Sequence, residues 1–506
     1  MMKKLLLLGA SSVALLAATP AMAQSNLSTA TQTGTGGIVT VGQTGGNGVS
    51  TVTQGGVGNK AVVSQAGDSA ESTIVQDNGT GSSDDDNLAT VTQKGNSTSF
   101  VTQTNDTAVA AVDQDGDGNF SDVRQTGDDD DTSVNQLGDD NDSTVIQSGN
   151  SNTAAVREFA NGNTSVVTQT SGFNNAIVDQ TNDLNTSTVT QQGGILGTAV
   201  NSANVLQSGM GNESTVTQGG VLNETGDGSD ANVRGVVQSG NDNVSTVTQN
   251  GGLQDAFVVQ SGNNNGSTVD QGGTFSAAHD ASVSQSGDEN FSNVVQRGFD
   301  AGAVVDQSGN LNSADIDQGR NINGFFDGGF GEGQRAEIVQ SGNRNSADVK
   351  QRGEDQTAYV NQVGNRNSDN GASIDQGGDN GRSHYASIEQ LGNNNDATVL
   401  QRGTNQDAVI EQGGNRNLAT IDQGDGSGID HNVSVAQGGS DNIADVAQTG
   451  TNHAATLVQN GSDNTSFVTQ SGMNNTATVG QYSDGNYSTV SQGGSGNVAA
   501  VTQGSM

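Results

Sequence analysis

Glutamine returns every eleven residues along this chain. Gln32, Gln43, Gln54, Gln65 and Gln76 stand eleven apart, and the spacing resumes at Gln114, Gln125, Gln136 and Gln147 and again from Gln437 to Gln503. Aligned on that glutamine, Val or Ile lies two residues before and Ser or Ala four before. Gly usually lies two after, and Asn often six before. The segment Asn395-Asp396-Ala397-Thr398-Val399-Leu400-Gln401-Arg402-Gly403 is one clear copy. About 40 such blocks follow one another, and a period of this strictness outranks any reading of composition. Glutamine gives way only at Glu158, and the Val/Ile position only at Ala30 and Leu457.

A second order lies over the first. Ser28, Ser50, Ser72, Ser99, Ser121, Ser143, Ser165, Ser187, Ser214, Ser245, Ser267 and Ser292 occupy every odd block. Even blocks mostly carry alanine, as at Ala61, Ala89, Ala110, Ala154, Ala176, Ala203, Ala256, Ala281 and Ala303, with Val39, Thr132 and Arg234 departing. The alternation fades after residue 303 and returns at Ser466, Ala477, Ser488 and Ala499. The unit is therefore two blocks, 22 residues. Longer spacings near 77–87, 192–200, 219–231 and 319–335 leave the parity intact and read as extended turns.

The Ser/Ala, Val/Ile and Gln positions are two apart, so they share one face of a strand, and no helical period competes. Gly and Asn after each glutamine supply turn conformations. The expected fold is all-β: a two-sheet parallel β-solenoid of about 20 coils, two strands to each coil. Its core positions include Val52, Val63, Val247, Val258, Val399, Ile410, Val490 and Val501. Its amide ladder includes Gln54, Gln65, Gln249, Gln260, Gln401, Gln412, Gln492 and Gln503. A glutamine buried alone is a costly unsatisfied amide, whereas stacked glutamines donate to one neighbour and accept from the other. After Pro20 the chain has no proline, which would delete a ladder donor.

Composition then sets limits. Hydrophobic residues are 30%, too few for an ordinary globular core, and no stretch beyond the leader spans a bilayer. There is no cysteine and hence no disulfide. A net charge of −38 argues against nucleic-acid binding through bulk charge. Residues 1–23 read as a secretory leader, with Lys3 and Lys4, an apolar run from Leu5 to Ala18, and the small-x-small signal Ala21-Met22-Ala23. Residues 24–506 form the repeat region. The first block begins at Asn26 and the last glutamine is Gln503, so neither end is expected to carry a cap. Open strand edges at both ends predict head-to-tail self-association into a cross-β fibre.

The pattern Ser-x-Val-x-Gln-x-Gly-x-x-Asn-x-Ala-x-Val-x-Gln resembles the curlin repeat of bacterial curli fibres. Ser245, Val247, Gln249 and Gly251, followed by Ala256, Val258 and Gln260, carry it; Gln254 holds the Asn place that Asn47, Asn59, Asn141 and Asn175 fill elsewhere. The resemblance covers nearly all of residues 26–505. It implies a secreted amyloid subunit of the biofilm matrix of a Gram-negative bacterium, serving adhesion and aggregation. It also implies export through an outer-membrane pore with periplasmic chaperones, and seeding by a surface nucleator. In that family ladder Gln and Asn drive assembly, while Gly and Asp temper it. Two departures stand out: this chain has many more coils than a typical major subunit, and its repeats begin without the non-repeat segment that the family's pore recognises.

The remaining signals are weaker. Asp84-Asp85-Asp86 and Asp128 to Asp131 read as solvated turns, without a calcium-loop pattern. Arg297, Arg352 and Arg402 follow odd-block glutamines, and Arg344, Arg366 and Arg416 lie four residues after even-block ones. They balance nearby acids or dock anionic matrix polysaccharide or extracellular DNA. His279, His384, His431 and His453 read as scattered, with no metal or catalytic grouping, so no enzyme and no cofactor is expected. Thr51-Val52-Thr53, Thr90-Val91-Thr92, Thr188-Val189-Thr190, Thr215-Val216-Thr217 and Thr246-Val247-Thr248 turn threonine pairs outward. They locally resemble ice-binding β-solenoids, and the alternative function is a monomeric β-solenoid surface protein, either ice-binding or an adhesin or stalk.

Overall fold

The computed structural model describes residues 7–8, 25–77, 86–193, 201–221, 224–225, 235–319, 333–365 and 371–504. The expected leader, apart from Leu7–Leu8, lies outside the described residues, as do Asp84, Asp85, Arg234, Arg366 and most of the four long spacings.

Each block becomes a strand that closes on its glutamine, as in Val49–Gln54, Lys60–Gln65 and Asp142–Gln147. Burial alternates along each strand, with the Ser/Ala, Val/Ile and Gln side chains inside. The turn that follows holds a residue in the left-handed region, such as Asp129, Asp140 or Ser151. Glycine two residues after the glutamine answers a different need. A Cβ on Gly127 would stand 1.5 Å from the carbonyl oxygen of Gly149, one coil away. The stacked turns approach too closely there for any side chain.

The chain divides into two compact units, residues 1–253 and 254–506. Within the first, the serine-bearing strands pair in parallel as one sheet: Phe120–Gln125 lies between Thr98–Gln103 and Asp142–Gln147. The alternate strands form the second sheet, with Asp131–Leu137 between Val109–Asp115 and Thr153–Glu158. Register is like over like, so Ser121, Val123 and Gln125 lie beside Ser143, Val145 and Gln147. The longer spacings leave this unchanged: Gln65 lies beside Gln93, Gln180 beside Gln207, and Gln218 beside Gln249. Alternation of sheets along the chain makes each coil two strands and two turns, a parallel β-solenoid.

The second unit repeats the plan. Ser313–Gln318 pairs with Phe291–Gln296 and Ser346–Glu354 in one sheet, and Gly302–Ser308 with Asp280–Ser286 and Arg335–Asn343 in the other. Between the strands of Ser292 and Ser466, alanines such as Ala314, Ala347 and Ala397 occupy the place that serine holds in the first unit, so both sheets carry alanine there. The fading of the Ser/Ala alternation changes composition and not architecture. In both units the inner faces meet over columns of Val and Ile that exclude solvent. The described residues contain no helix, and therefore none long and apolar enough to cross a membrane.

Candidate functional site: the amide ladders

Parallel stacking in strict register places each glutamine amide one strand spacing from the next. In the first unit Gln103 Nε2 donates to Gln125 Oε1 at 2.9 Å, Gln125 to Gln147 at 3.0 Å, and Gln147 to Gln169 at 2.9 Å. The same bond runs from Gln32 to Gln54, on through Gln218, and ends in this unit at Gln249. In the second unit it joins Gln376 to Gln401, Gln390 to Gln412, and Gln481 to Gln503. The other amide hydrogen is spent across the coil: Gln54 donates to Asn59 O, Gln65 to Ala70 O and Gln401 to Gln406 O. Each glutamine thus ties coil to coil and one strand to the turn that leads into the next.

The ladder has a direction, because every donor points toward the C-terminal neighbour. Gln32 Oε1 is accordingly buried without a donor. At the other extreme Gln492 Nε2 donates to Thr476 O and Gln503 Nε2 to Tyr487 O, and neither meets a further glutamine among the described residues. Among the described residues Val498–Gln503 pairs only with Thr476–Gln481, and Val498 is 79% exposed.

Of the ladder and core positions read from the sequence, Gln54, Gln65, Gln249, Gln260, Gln401 and Gln412 are buried, with Val52, Val63, Val247, Val258, Val399 and Ile410. Gln492 and Val490 are slightly more open, and Gln503 and Val501 are half-buried in the last described coil.

Asparagines form a parallel device at the turns. Asn119 Oδ1 accepts the backbone N–H of Asn141, Asn141 that of Asn163, and Asn163 that of Asn185, at 2.9–3.0 Å. The four histidines, which read as scattered, all occupy the matching column at the other turn. His279 Nδ1 accepts the N–H of Ala301, His431 Nδ1 that of His453, and His453 Nδ1 that of Asn475. The imidazole replaces the asparagine carbonyl, and the signal in the sequence was its place directly before a strand. His431 and His453 stack with centroids 5.1 Å apart and planes within 4°. Burial pushes the His279 and His384 imidazoles down to about 4, with Arg297 adding to the effect at His279. An accepting Nδ1 requires the neutral ring.

Asp130 corrects the reading of residues 128–131 as solvated turns. It lies buried in this column, with Oδ1 accepting from the backbone and side-chain nitrogens of Asn152. Burial raises its carboxyl to about 6 against those bonds.

Glu158 is the one foreign member of the glutamine ladder. It is fully buried, and its Oε2 accepts from Gln136 at 2.8 Å. Once ionised it has nothing to donate onward to Gln180, and Glu158 Oε1 has no partner. Burial pushes this carboxyl up to about 8. The arginines balance local charge: Arg297 pairs with Asp270 at 2.5 Å, Arg352 with Asp375 at 3.2 Å, and Arg416 with Asp441 at 2.5 Å.

Such a site is a scaffold of repeated amide bonds, and the fold defines a repeat protein of the β-solenoid class. The family model of the curlin associated repeat matches the chain nine times, within residues 85–170, 331–424 and 439–504. The chain is a curlin-repeat protein. A comparison with individual curated proteins returned no match.

Proposed function

We propose that this chain is a structural protein whose copies stack end to end into an extracellular curli-type amyloid fibre of the biofilm matrix. The observation that carries the reading is ladder polarity. Gln32 presents an acceptor without a donor, and Gln492 and Gln503 present amide donors that meet no further glutamine among the described residues. A second copy placed coil on coil satisfies both, and the strand edges pair in the same step. In this proposal residues 1–23 are a leader removed on secretion. Their removal also strips Leu7–Leu8 from beside Ala30-Thr31 and bares the edge of Leu27–Gln32. Export through an outer-membrane pore with periplasmic chaperones, a nucleator, and matrix polysaccharide or DNA as partners belong to the same proposal.

Negative-stain microscopy of aged residues 24–506, with an amyloid dye, tests it. Long unbranched dye-positive fibres are expected, and Gln492→Leu with Gln503→Leu should slow elongation at least several-fold. Stable short particles that never lengthen would overturn the reading.

A further inference from the structure

The outer face of the first sheet of unit 1 is dominated by threonine. Ten strands from Leu27–Gln32 to Val244–Gly252 turn three side chains each outward, and the two nearest the glutamine, twenty positions in all, form the central columns of the face. Of these twenty positions, fourteen are threonine and three are Val75, Ile146 and Val166. Another is Phe100, and the last two are Asp122 and Arg124, which pair with each other at 2.5 Å. These twenty central positions carry no net charge, on a chain with 55 acidic and 17 basic residues, while the outward residue that opens each strand adds Glu71, Asp142 and Glu213 along one edge of the face. Seventeen of the twenty are β-branched, hence stiff at χ1 and of nearly equal height, and they stand in straight columns, as where Thr188 and Thr190 lie beside Thr215 and Thr217. The corresponding face of unit 2 instead carries Asp270, Asp315, Asp317, Asp348, Asp375 and Asp422.

We propose that this face is a lateral docking surface for a second copy of the same chain, sheet against sheet. Three observations choose that occupant. Acidic copies repel one another, and along these central columns two faces approach with no carboxylate but Asp122, which Arg124 pairs. Ten strands about 4.8 Å apart, each about 20 Å long, offer about 950 Å² a side, the size of a standard stable interface. Rows of stiff Thr, Val and Ile at the strand spacing interdigitate as paired sheets do. A surface matched to ordered water would need an unbroken hydroxyl lattice. Phe100, Val75, Ile146, Val166 and the Asp122–Arg124 pair interrupt one, and a protein partner accommodates them. The contact is lateral and does not depend on end-to-end stacking.

The chain has no cysteine, so single cysteines report the contact. Thr217→Cys lies on this face, and Ser133→Cys lies on the outer face of the second sheet. Treated with a short bis-maleimide, Thr217→Cys should give at least ten-fold more covalent dimer. Stacking end to end cannot produce this, because it would hold the two cysteines farther apart than the eight coils, about 38 Å, between Leu27–Gln32 and Glu213–Val221. Adding Thr190→Asp should abolish the dimer while the β-sheet circular dichroism persists, and Thr190→Val should preserve it. Equal yields from the two cysteines, or no dimer from either, would overturn the proposal. So would shaping of ice crystals by a chain that gives no dimer, which would assign the face to ordered water.

Discussion

Ser165 donates its hydroxyl to Gln180 Oε1 at 2.9 Å, across the core from one sheet to the other. Gln180 is the glutamine that follows Glu158 in the ladder, so its usual donor is missing. The same bond recurs between Ser28 and Gln43, the first described glutamine of its column. Elsewhere the hydroxyls of Ser50, Ser72, Ser99, Ser187 and Ser214 are buried without a partner, because the ladder already fills the acceptor that they face. In the first unit the serine column is a reserve of donors, engaged at Ser28 and Ser165, where the facing glutamine has no amide donor above it.

A pair of alanine substitutions separates the two states of that reserve. Ser165→Ala should loosen the coil around Asn175–Gln180 by about 1–3 kcal/mol, the cost of a buried acceptor left without a donor. Ser187→Ala removes a hydroxyl that bonds nothing and should be neutral or slightly stabilising. Hydrogen exchange of the amides in each coil measures both, and equal effects would sink the idea of a reserve.

Glu158 makes one coil sensitive to alkali. Its carboxyl is held at about 8, above the ordinary 4.5, so the folded chain binds a proton that the unfolded chain releases. Stability from this group is full below pH 4.5 and declines as pH rises toward 8. Glu158→Gln restores an onward donor to Gln180 and should stabilise the coil by on the order of 3–5 kcal/mol at pH 8, with the gain vanishing near pH 4. Exchange in Thr153–Glu158 across that range reads it. A gain independent of pH would show that the carboxylate is not the cause.

The histidines act in the opposite sense and in the other unit. Folded values near 4 lie below the ordinary 6.5, so the contribution of His279 and His384 is present above pH 6.5 and lost as pH falls toward 4. Acid should loosen the coils around Asp280–Ser286 and Tyr385–Gln390 by about 2–3 kcal/mol per imidazole. His384→Gln should cancel the effect in its own coil and leave it near His279. Site-resolved exchange at pH 7 and pH 4.5 provides the comparison.

Close approach at the turns predicts a contrast between glycines. Gly127→Ala drives a methyl into the Gly149 carbonyl at 1.5 Å and forces backbone to move, which should cost at least 1–3 kcal/mol. Gly42→Ala, with nothing within 4 Å of the new methyl, should be tolerated within about 0.5 kcal/mol. Urea titration of each variant, followed by hydrogen exchange around the altered glycine, distinguishes them.

The fold was legible because each position in a block has one job. Gln147 and Val145 keep their spacing through every register, and parity alone assigns Ser143 to one sheet and Ala154 to the other. The histidines were not legible in the same way. An imidazole beside Gln and Asn does not resemble them in composition, and only the backbone bond from Asn475 to His453 Nδ1 shows the equivalence. Asp130 was misread for the same reason, since its neighbours Asp128 and Asp129 belong to the turn while it belongs to the column. The reserve role of Ser165 depends on a hole that a single letter at 158 creates 22 residues before Gln180, a relation across the core that no local pattern contains.

Because Gln lies beside Gln whether the intervening loop is short or long, the molecule is tolerant of editing in whole turns. Deleting the codons of one complete coil brings together two surfaces that already match, and duplicating them inserts a turn that fits its neighbours on both sides. Genes for chains of this kind can therefore lengthen and shorten by recombination between their own repeats without passing through an unfoldable product.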